Sequence, residues 1–278
     1  CMMAACLTRV PVRVHTFTGL VWPTATGLKR RLLMMTDKIT CACATHVIPE
    51  GKGVMDDLRS GGITHKPMRV LGHGNVKGVD MEHFDPARFE PHDSRGVFTF
   101  LFVGRIVGDK GINELVEAFA RLHEELPNTR LMMVGNYETE LDPVSQDTCR
   151  LIDAMDSIET PGAKRGDDLV RAYAEADCFV MPSYREGFPN VVLEAGAMGL
   201  PSVVTDINGS REIVENGKNG LVVPPRDASS LYDAMKLMAT DSEARQRMAR
   251  EARPMIASRF ERGYVQRCQI EFYKEVMG

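Results

Sequence analysis

At 278 residues, 44% hydrophobic and 26% charged, the chain has the make-up of an ordinary globular protein of one to two domains. Thirty-four Lys and Arg against 38 Asp and Glu leave a net charge of −4, which offers no basic excess for nucleic acid. No apolar run approaches the ~18 residues that a membrane span needs, and none of the seven scattered cysteines forms the C-x-x-C pair of a zinc or redox site.

The chain opens on Cys1 rather than Met. Its opening run is shorter than the apolar core of a signal peptide, ~7–15 residues, and lacks the basic leader. It reads as the interior of a longer protein, with Cys1–Val10 frayed. Val12–Phe17 reads as a strand, Leu28–Ala44 as a basic helix, and His46–Ile48 and Met68–Leu71 as further strands. The Gly-rich stretch 72–80 and the Pro-rich Phe84–Pro91 read as an interdomain connector.

From Val97 onward, short β-branched and aromatic runs alternate with amphipathic ones. Val97–Val103, Arg130–Val134, Cys178–Met181, Ser202–Thr205 and Leu221–Val223 predict strands. Ile112–Glu125, Asp142–Met155, Leu169–Ala176, Asn190–Met198 and a short turn near Arg211–Glu215 predict helices. This alternation implies a parallel, doubly wound α/β sheet. Ala228–Ala239, Asp241–Phe260 and Arg262–Val276 predict closing helices, with a break near Pro254.

Such sheets bind ligands outside the carboxyl ends of their strands. Gly104-Arg105, Gly135-Asn136 and Pro182–Glu186 all follow strand ends, so they should share one rim. Glu186 and Glu194 bracket seven residues that begin with a Gly-Phe-Pro turn. The turn would aim N–H groups and a positive helix end at an anion. Glu194, about two turns along at 3.6 residues per turn, would face the same cleft. Arg105 and Lys110 lie just past a strand end, where two cations could neutralise a diphosphate leaving group. Taken alone they read equally as solvated loop cations, Glu186 as a surface acid, and Asn190 as a helix cap. The Thr205–Ser210 loop reads either as a sugar contact or as an N-cap at Ser210.

The stretch from Glu186 to Glu194 resembles the E-x7-E motif of retaining GT-B glycosyltransferases of family 4. The likeness continues through Ala195, Gly199, Pro201, Gly209, Glu212 and Asn219-Gly220. It implies GT-B architecture: a partial N-terminal Rossmann-like acceptor domain with its connector (1–91), a complete donor-binding domain (92–260), and a C-terminal helix (261–278) packing back. It further implies that Glu186 contacts the donor sugar and Glu194 the ribose hydroxyls. Gly187, Phe188, Pro189, Asn190 and Val191 would line sugar and phosphates. Arg105 and Lys110, beside Gly104, would stabilise the departing diphosphate, and backbone at Ala163 and Lys164 would read the base.

Where relatives carry a histidine before a glycine near the reacting sugar, this chain has Thr18 before Gly19, leaving both as active-site lining residues. His15 would face the opposite side by strand alternation, which makes it a core or surface histidine. Lys29, Arg30 and Arg31, on a helix basic and apolar by turns, offer a peripheral membrane contact, or they are solvated cations on a helix packed against its sheet.

The expected activity is retaining transfer from a nucleoside diphosphate sugar, UDP-linked, to a glycan or lipid-linked glycan. It would need no metal and no cofactor, in the cytoplasm or at the inner face of a membrane. The rival expectations are a nucleotide-sugar-binding fragment without turnover and a GT-B epimerase. An epimerase would need acid and base residues that the sequence does not identify.

Overall fold

The computed structural model describes residues 1–90, 96–140 and 142–278. The boundary expected at 91–92 lies outside the described residues. Beyond it runs one six-stranded parallel sheet: β3 (Phe98–Val103), β4 (Thr129–Val134), β5 (Ile158–Glu159), β6 (Cys178–Met181), β7 (Ser202–Thr205) and β8 (Gly220–Val223). Before it stands a two-stranded parallel sheet, β1 (Val14–Phe17) with β2 (His46–Pro49).

The large sheet is ordered β5-β4-β3-β6-β7-β8, so the chain starts in the middle, winds outward one way, then returns to wind the other. Loops after β3 and β6 therefore diverge from neighbouring strands and leave a crevice at the carboxyl rim, where such sheets take ligands. Strands buried on both faces read as continuous apolar runs. Phe-Leu-Phe at 100–102 and Phe179-Val180 are fully buried, which is why the sequence marked these strands without alternation.

Helices α4 (Ile112–Glu125), α5 (Gln146–Ala154), α6 (Gly166–Ala174), α7 (Asn190–Ala197), α8 (Ser210–Ile213), α9 (Ala228–Thr240), α10 (Ser242–Phe260) and α11 (Arg262–Met277) complete this part. On α4 the apolar stripe Leu115, Val116, Phe119 and Leu122 is entirely withdrawn from water against the core. At about 25 cal/mol per Å² of apolar surface, four such side chains dominate the helix's attachment. The break expected near Pro254 is absent. Helix α10 runs through Pro254, because Met248 and Ala252 before it and Met255, Ile256 and Phe260 after it are all buried along one core face. Arg253 further ties the helix down, donating to the carbonyls of Met81, Phe84 and Ala197.

The N-terminal part carries three helices: α1 (Met2–Leu7), α2 (Gly27–Cys43) and α3 (Lys52–Ser60). Two departures from expectation occur here. Helices α1 and α3 were not anticipated, and α1 buries none of its residues. The strand expected at Met68–Leu71 shrinks to a single parallel bridge between Val47 and Met68. The 72–80 stretch is no free connector either. Val79 bridges to Glu261, and its N–H donates to Phe260 O at 2.9 Å. Asn75 is 3% exposed with φ of +63°. Helix α11 returns over β2, where Phe272 meets His46 edge-on at 5.8 Å and Glu275 pairs with Arg69 at 3.0 Å.

Candidate active site

Gly104 follows β3 and Gly135 follows β4, and the two turns touch. A Cβ on Gly135 would stand 1.7 Å from the Gly104 carbonyl oxygen, so only glycine lets these strand ends approach. After β3 a 3-10 turn, Gly108–Lys110, leads into α4 through Gly111 at φ +69°, packed against the Pro182 carbonyl at the end of β6. This contact seats Lys110 across the crevice from Glu186, and the two form an ion pair with only 17% and 16% of their side chains exposed. Lys110 therefore joins the β3 and β6 loops at the point where the sheet order reverses.

Arg105 takes another partner. Its guanidinium is half exposed and pairs with Glu138, in the loop after β4, at 2.6 Å. The two cations expected to act together thus stand on one rim with separate carboxylates. Glu138, with Tyr137, Thr139 and Glu140, lines a cavity of about 340 Å³ that the sequence did not single out. Across from it lies the Ala163-Lys164 loop, where the Ala163 N–H donates to Asn136 Oδ1 at 3.2 Å. That N–H is engaged within the chain.

Residues 185–189 are not helical, and α7 begins at Asn190. Glu194 accordingly lies one turn into the helix rather than two. Asn190 is not the cap. The capping position falls to Pro189, and no side chain closes the helix end. The amide of Asn75 instead donates to Asn190 Oδ1 at 3.2 Å, while Asn75 Oδ1 accepts the N–H groups of Lys77 and Gly78. A helix end left uncapped keeps its partial positive charge available.

Tyr173 of α6 donates its hydroxyl to Glu194 Oε2 at 3.1 Å and to the Val191 carbonyl at 3.3 Å. Burial pushes the Glu194 carboxyl above the usual range, against the Tyr173 hydrogen bond and the charge of Lys77, which pull it down. A carboxylate so enclosed needs donors, and Tyr173 is one. Tyr173, Asn75 and Lys77 were all missed by sequence reasoning. Tyr173 carried no signal beyond its helical face, and the other two were hidden in a glycine-rich stretch.

Thr18 and Gly19, from the loop after β1, reach this centre. A Cβ on Gly187 would lie 1.9 Å from the Thr18 carbonyl oxygen, so the two loops meet backbone to backbone beside Glu186. Gly209 packs equally tightly on the Gly187 carbonyl and Phe188. The N-cap expected at Ser210 falls instead on Gly209, because Glu212 folds back to accept the Gly209 N–H at 3.3 Å. The same carboxylate accepts the N–H groups of Lys52 and Gly53, at 2.6 and 3.0 Å, and so closes the N-terminus of α3. Asn208 donates to Asp57 of α3 at 2.6 Å. Lys29, Arg30 and Arg31 are exposed on α2, along with Leu28, Leu32, Met35 and Ile39. Among the described residues no helix is long and apolar enough to cross a membrane.

This arrangement can hold an anion between Lys110 and the open end of α7, and it offers Glu186 and Glu194 as acceptors for hydroxyl groups. Comparison with known proteins bears on the family and the fold. The family model described as glycosyl transferases group 1 matches residues 85–255. A capsular polysaccharide biosynthesis glycosyltransferase, CapM of Staphylococcus aureus, is 29% identical over 93% of this chain and 69% of its own length. The sulfoquinovosyl transferase SQD2 of Arabidopsis thaliana is 29% identical over 88% of this chain. The chain spans only 46% of that relative, and 44% of a 33% identical glycogen synthase of Mycobacterium tuberculosis. In fold, Anabaena HepE in complex with UDP superposes with a TM-score of 0.84 at 19% identity, covering 99% of this chain and 75% of that one. Sucrose-phosphate synthase of Thermosynechococcus elongatus does so at 0.83 and 22%, covering 99% and 71%. The fold is that of the GT-B glycosyltransferases, and the chain belongs to the group 1 glycosyl transferases, a family of sugar-transferring enzymes.

Proposed function

We propose that the protein is a retaining, family 4 glycosyltransferase that moves a sugar from a nucleoside diphosphate sugar, UDP-linked, to a glycan or lipid-linked glycan. The observation that carries this reading is the half-buried Lys110–Glu186 pair at the switch point of the sheet, beside the uncapped end of α7. A diphosphate seated there would draw the Lys110 ammonium away from Glu186 and free that carboxylate to accept a sugar hydroxyl. As the glycosidic bond breaks, charge grows on the departing phosphate, and fixed cations and helix N–H groups stabilise it most where water is excluded. Glu194, one turn below, would accept from the ribose hydroxyls, held in place by Tyr173. Arg105 would join from the rim by exchanging Glu138 for phosphate. The UDP named in the HepE complex supports uridine as the base.

Lys110, Arg105 and the helix end supply the positive charge, so transfer is proposed to need no metal and to survive a chelator. A protein with basic and apolar residues side by side on α2 suits peripheral contact at the cytoplasmic face of a membrane. The test is a calorimetric screen of uridine, guanosine and adenosine diphosphates, followed by nucleoside diphosphate release from the matching sugar with and without a glycan acceptor. Uridine diphosphate binding and acceptor-dependent release are expected. Affinity without turnover would reduce the protein to a binding fragment, and sugar interconversion would make it an epimerase.

A further inference from the structure

Two adjoining cavities lie between the N-terminal part and the large sheet, and Glu186 stands in the wall of the smaller one. The inner one, about 160 Å³, has Glu186 in its wall and is closed from the N-terminal side by Leu20 and Pro23. The outer one holds about 500 Å³. They share Thr24, Tyr184 and Arg185, and so form one corridor between the N-terminal part and the large sheet.

The charges along the outer cavity divide unequally. Its two acids each have a partner: Asp109 pairs through Oδ2 with Arg185 at 3.1 Å, its Oδ1 being buried without a hydrogen bond, and Asp142 accepts the Asp109 N–H. Of its cations Lys29, Arg185 and Arg226, Arg185 alone has an acid partner among the described residues. Arg226, following β8, lies 4.5 Å over the ring of Tyr184 and, among the described residues, has no carboxylate partner. Tyr184 is fixed beneath it by a hydroxyl bond to Glu114 at 2.6 Å. Arg226 is one of three non-glycine residues held at positive φ among the described residues, at +62°, an uncommon backbone state that fixes where its side chain departs. Lys29, on the first turn of α2, faces the same space from the other wall and likewise has no acid partner among the described residues. Arg185 gives only one of its five N–H groups to Asp109.

The geometry points to a second anion site, formed by Arg226 and Lys29 with Arg185 at its inner end, that binds a phosphate or diphosphate ester carried by the acceptor. Arginine forks and a lysine on opposite walls match several phosphoryl oxygens at once. The corridor ends at Glu186, so an acceptor anchored by its phosphate would present its hydroxyl to the sugar. This rests on the donor reading only for the word acceptor. The anion site itself does not depend on it.

The test is titration of the full chain with inorganic pyrophosphate and with geranyl diphosphate. Two classes of pyrophosphate site are expected. Lys110→Ala should remove one, and Arg226→Gln combined with Lys29→Gln the other. Each single exchange should weaken the second class by about tenfold or more, as for lost charge-assisted bonds. Arg226→Lys should restore part of it, and a melting curve unchanged by these surface substitutions would show that the fold is intact. Saturating uridine diphosphate should displace pyrophosphate from the Lys110 class alone. Tighter geranyl diphosphate binding at the second class would identify a lipid-borne phosphate, and equal binding a water-soluble ester. A single class of site, indifferent to Arg226 and Lys29, would overturn the proposal. A second class that persists while uridine diphosphate fails to bind would sink the donor reading and leave the anion site standing.

Discussion

The two parts of the molecule are built to different standards of enclosure. The six-stranded sheet is covered by helices, and its core, from Phe100 to Phe260, is continuous. The two-stranded sheet has a smaller cluster around Phe17, Trp22 and Leu58. Of the large apolar side chains exposed among the described residues, Met3, Leu7, Val10, Val21, Leu28, Leu32, Met35 and Ile39 all fall before residue 44. An isolated pair of strands is at best marginally stable in water, so the N-terminal part depends on what it borrows. It borrows Phe272 from α11, a helix cap from Glu212 and the Asn208–Asp57 bond. The sheet that holds Lys110, Glu186 and Glu194 borrows little in return. The proposed donor site is thus mounted on the better enclosed part, and the less enclosed part packs against it.

Dividing the chain gives the largest effect. Residues 79–260, expressed alone, should melt cooperatively and bind uridine diphosphate, whereas residues 1–78 should show no cooperative transition by calorimetry. Independent folding of the smaller piece would break the contrast. Next comes Lys110→Ala, expected to lower acceptor-dependent turnover by on the order of 10²-fold or more, with the melting temperature nearly unchanged. A loss confined to stability would place Lys110 in the scaffold.

The junction should respond to pH through Glu50, which is 6% exposed beside Glu212. Burial pushes its carboxyl up to about 7, with the Glu212 charge adding to the rise and the Val76 N–H opposing it. Its folded value exceeds its unfolded one, so the folded state holds the extra proton between them. Stability should therefore fall as pH rises from about 4.5 to about 7, by up to about 3 kcal/mol at ~1.4 kcal/mol per unit. Denaturant melts at both ends of that window should show this loss in the wild type and a flatter profile in Glu50→Gln. A smaller change is expected from Glu194→Ala, a loss of roughly 1.5–3 kcal/mol in nucleotide affinity. Calorimetry showing unchanged affinity in a folded variant would remove Glu194 from the ribose.

The same contrast decides what could be read from the sequence. Strands β3, β6 and β7 were legible within a residue, because strands buried on both faces need unbroken apolar runs. That Glu186 and the β3 loop share one rim followed from their places after strand ends, whereas the Lys110–Glu186 pairing itself came only with the strand order. The partner of Arg105 did not, since Glu138 reaches it only through the register of β3 with β4. Asn75 escaped notice because its value lies in a left-handed backbone and a bond spanning 115 positions. Helix α3 was missed for a related reason. Its cap is not local but is the carboxylate of Glu212, so no start signal precedes Lys52.

The contact between Gly187 and Thr18 makes the crevice a fit gauge set in bare main chain. Real Cβ atoms do not come within 3.0 Å of such an oxygen, and here one would sit at 1.9 Å. A single methyl group at position 187 would therefore act as a wedge and hold the two loops apart by about an ångström beside Glu186. A displacement of that size would shift the backbone next to Glu186 relative to its partner Lys110.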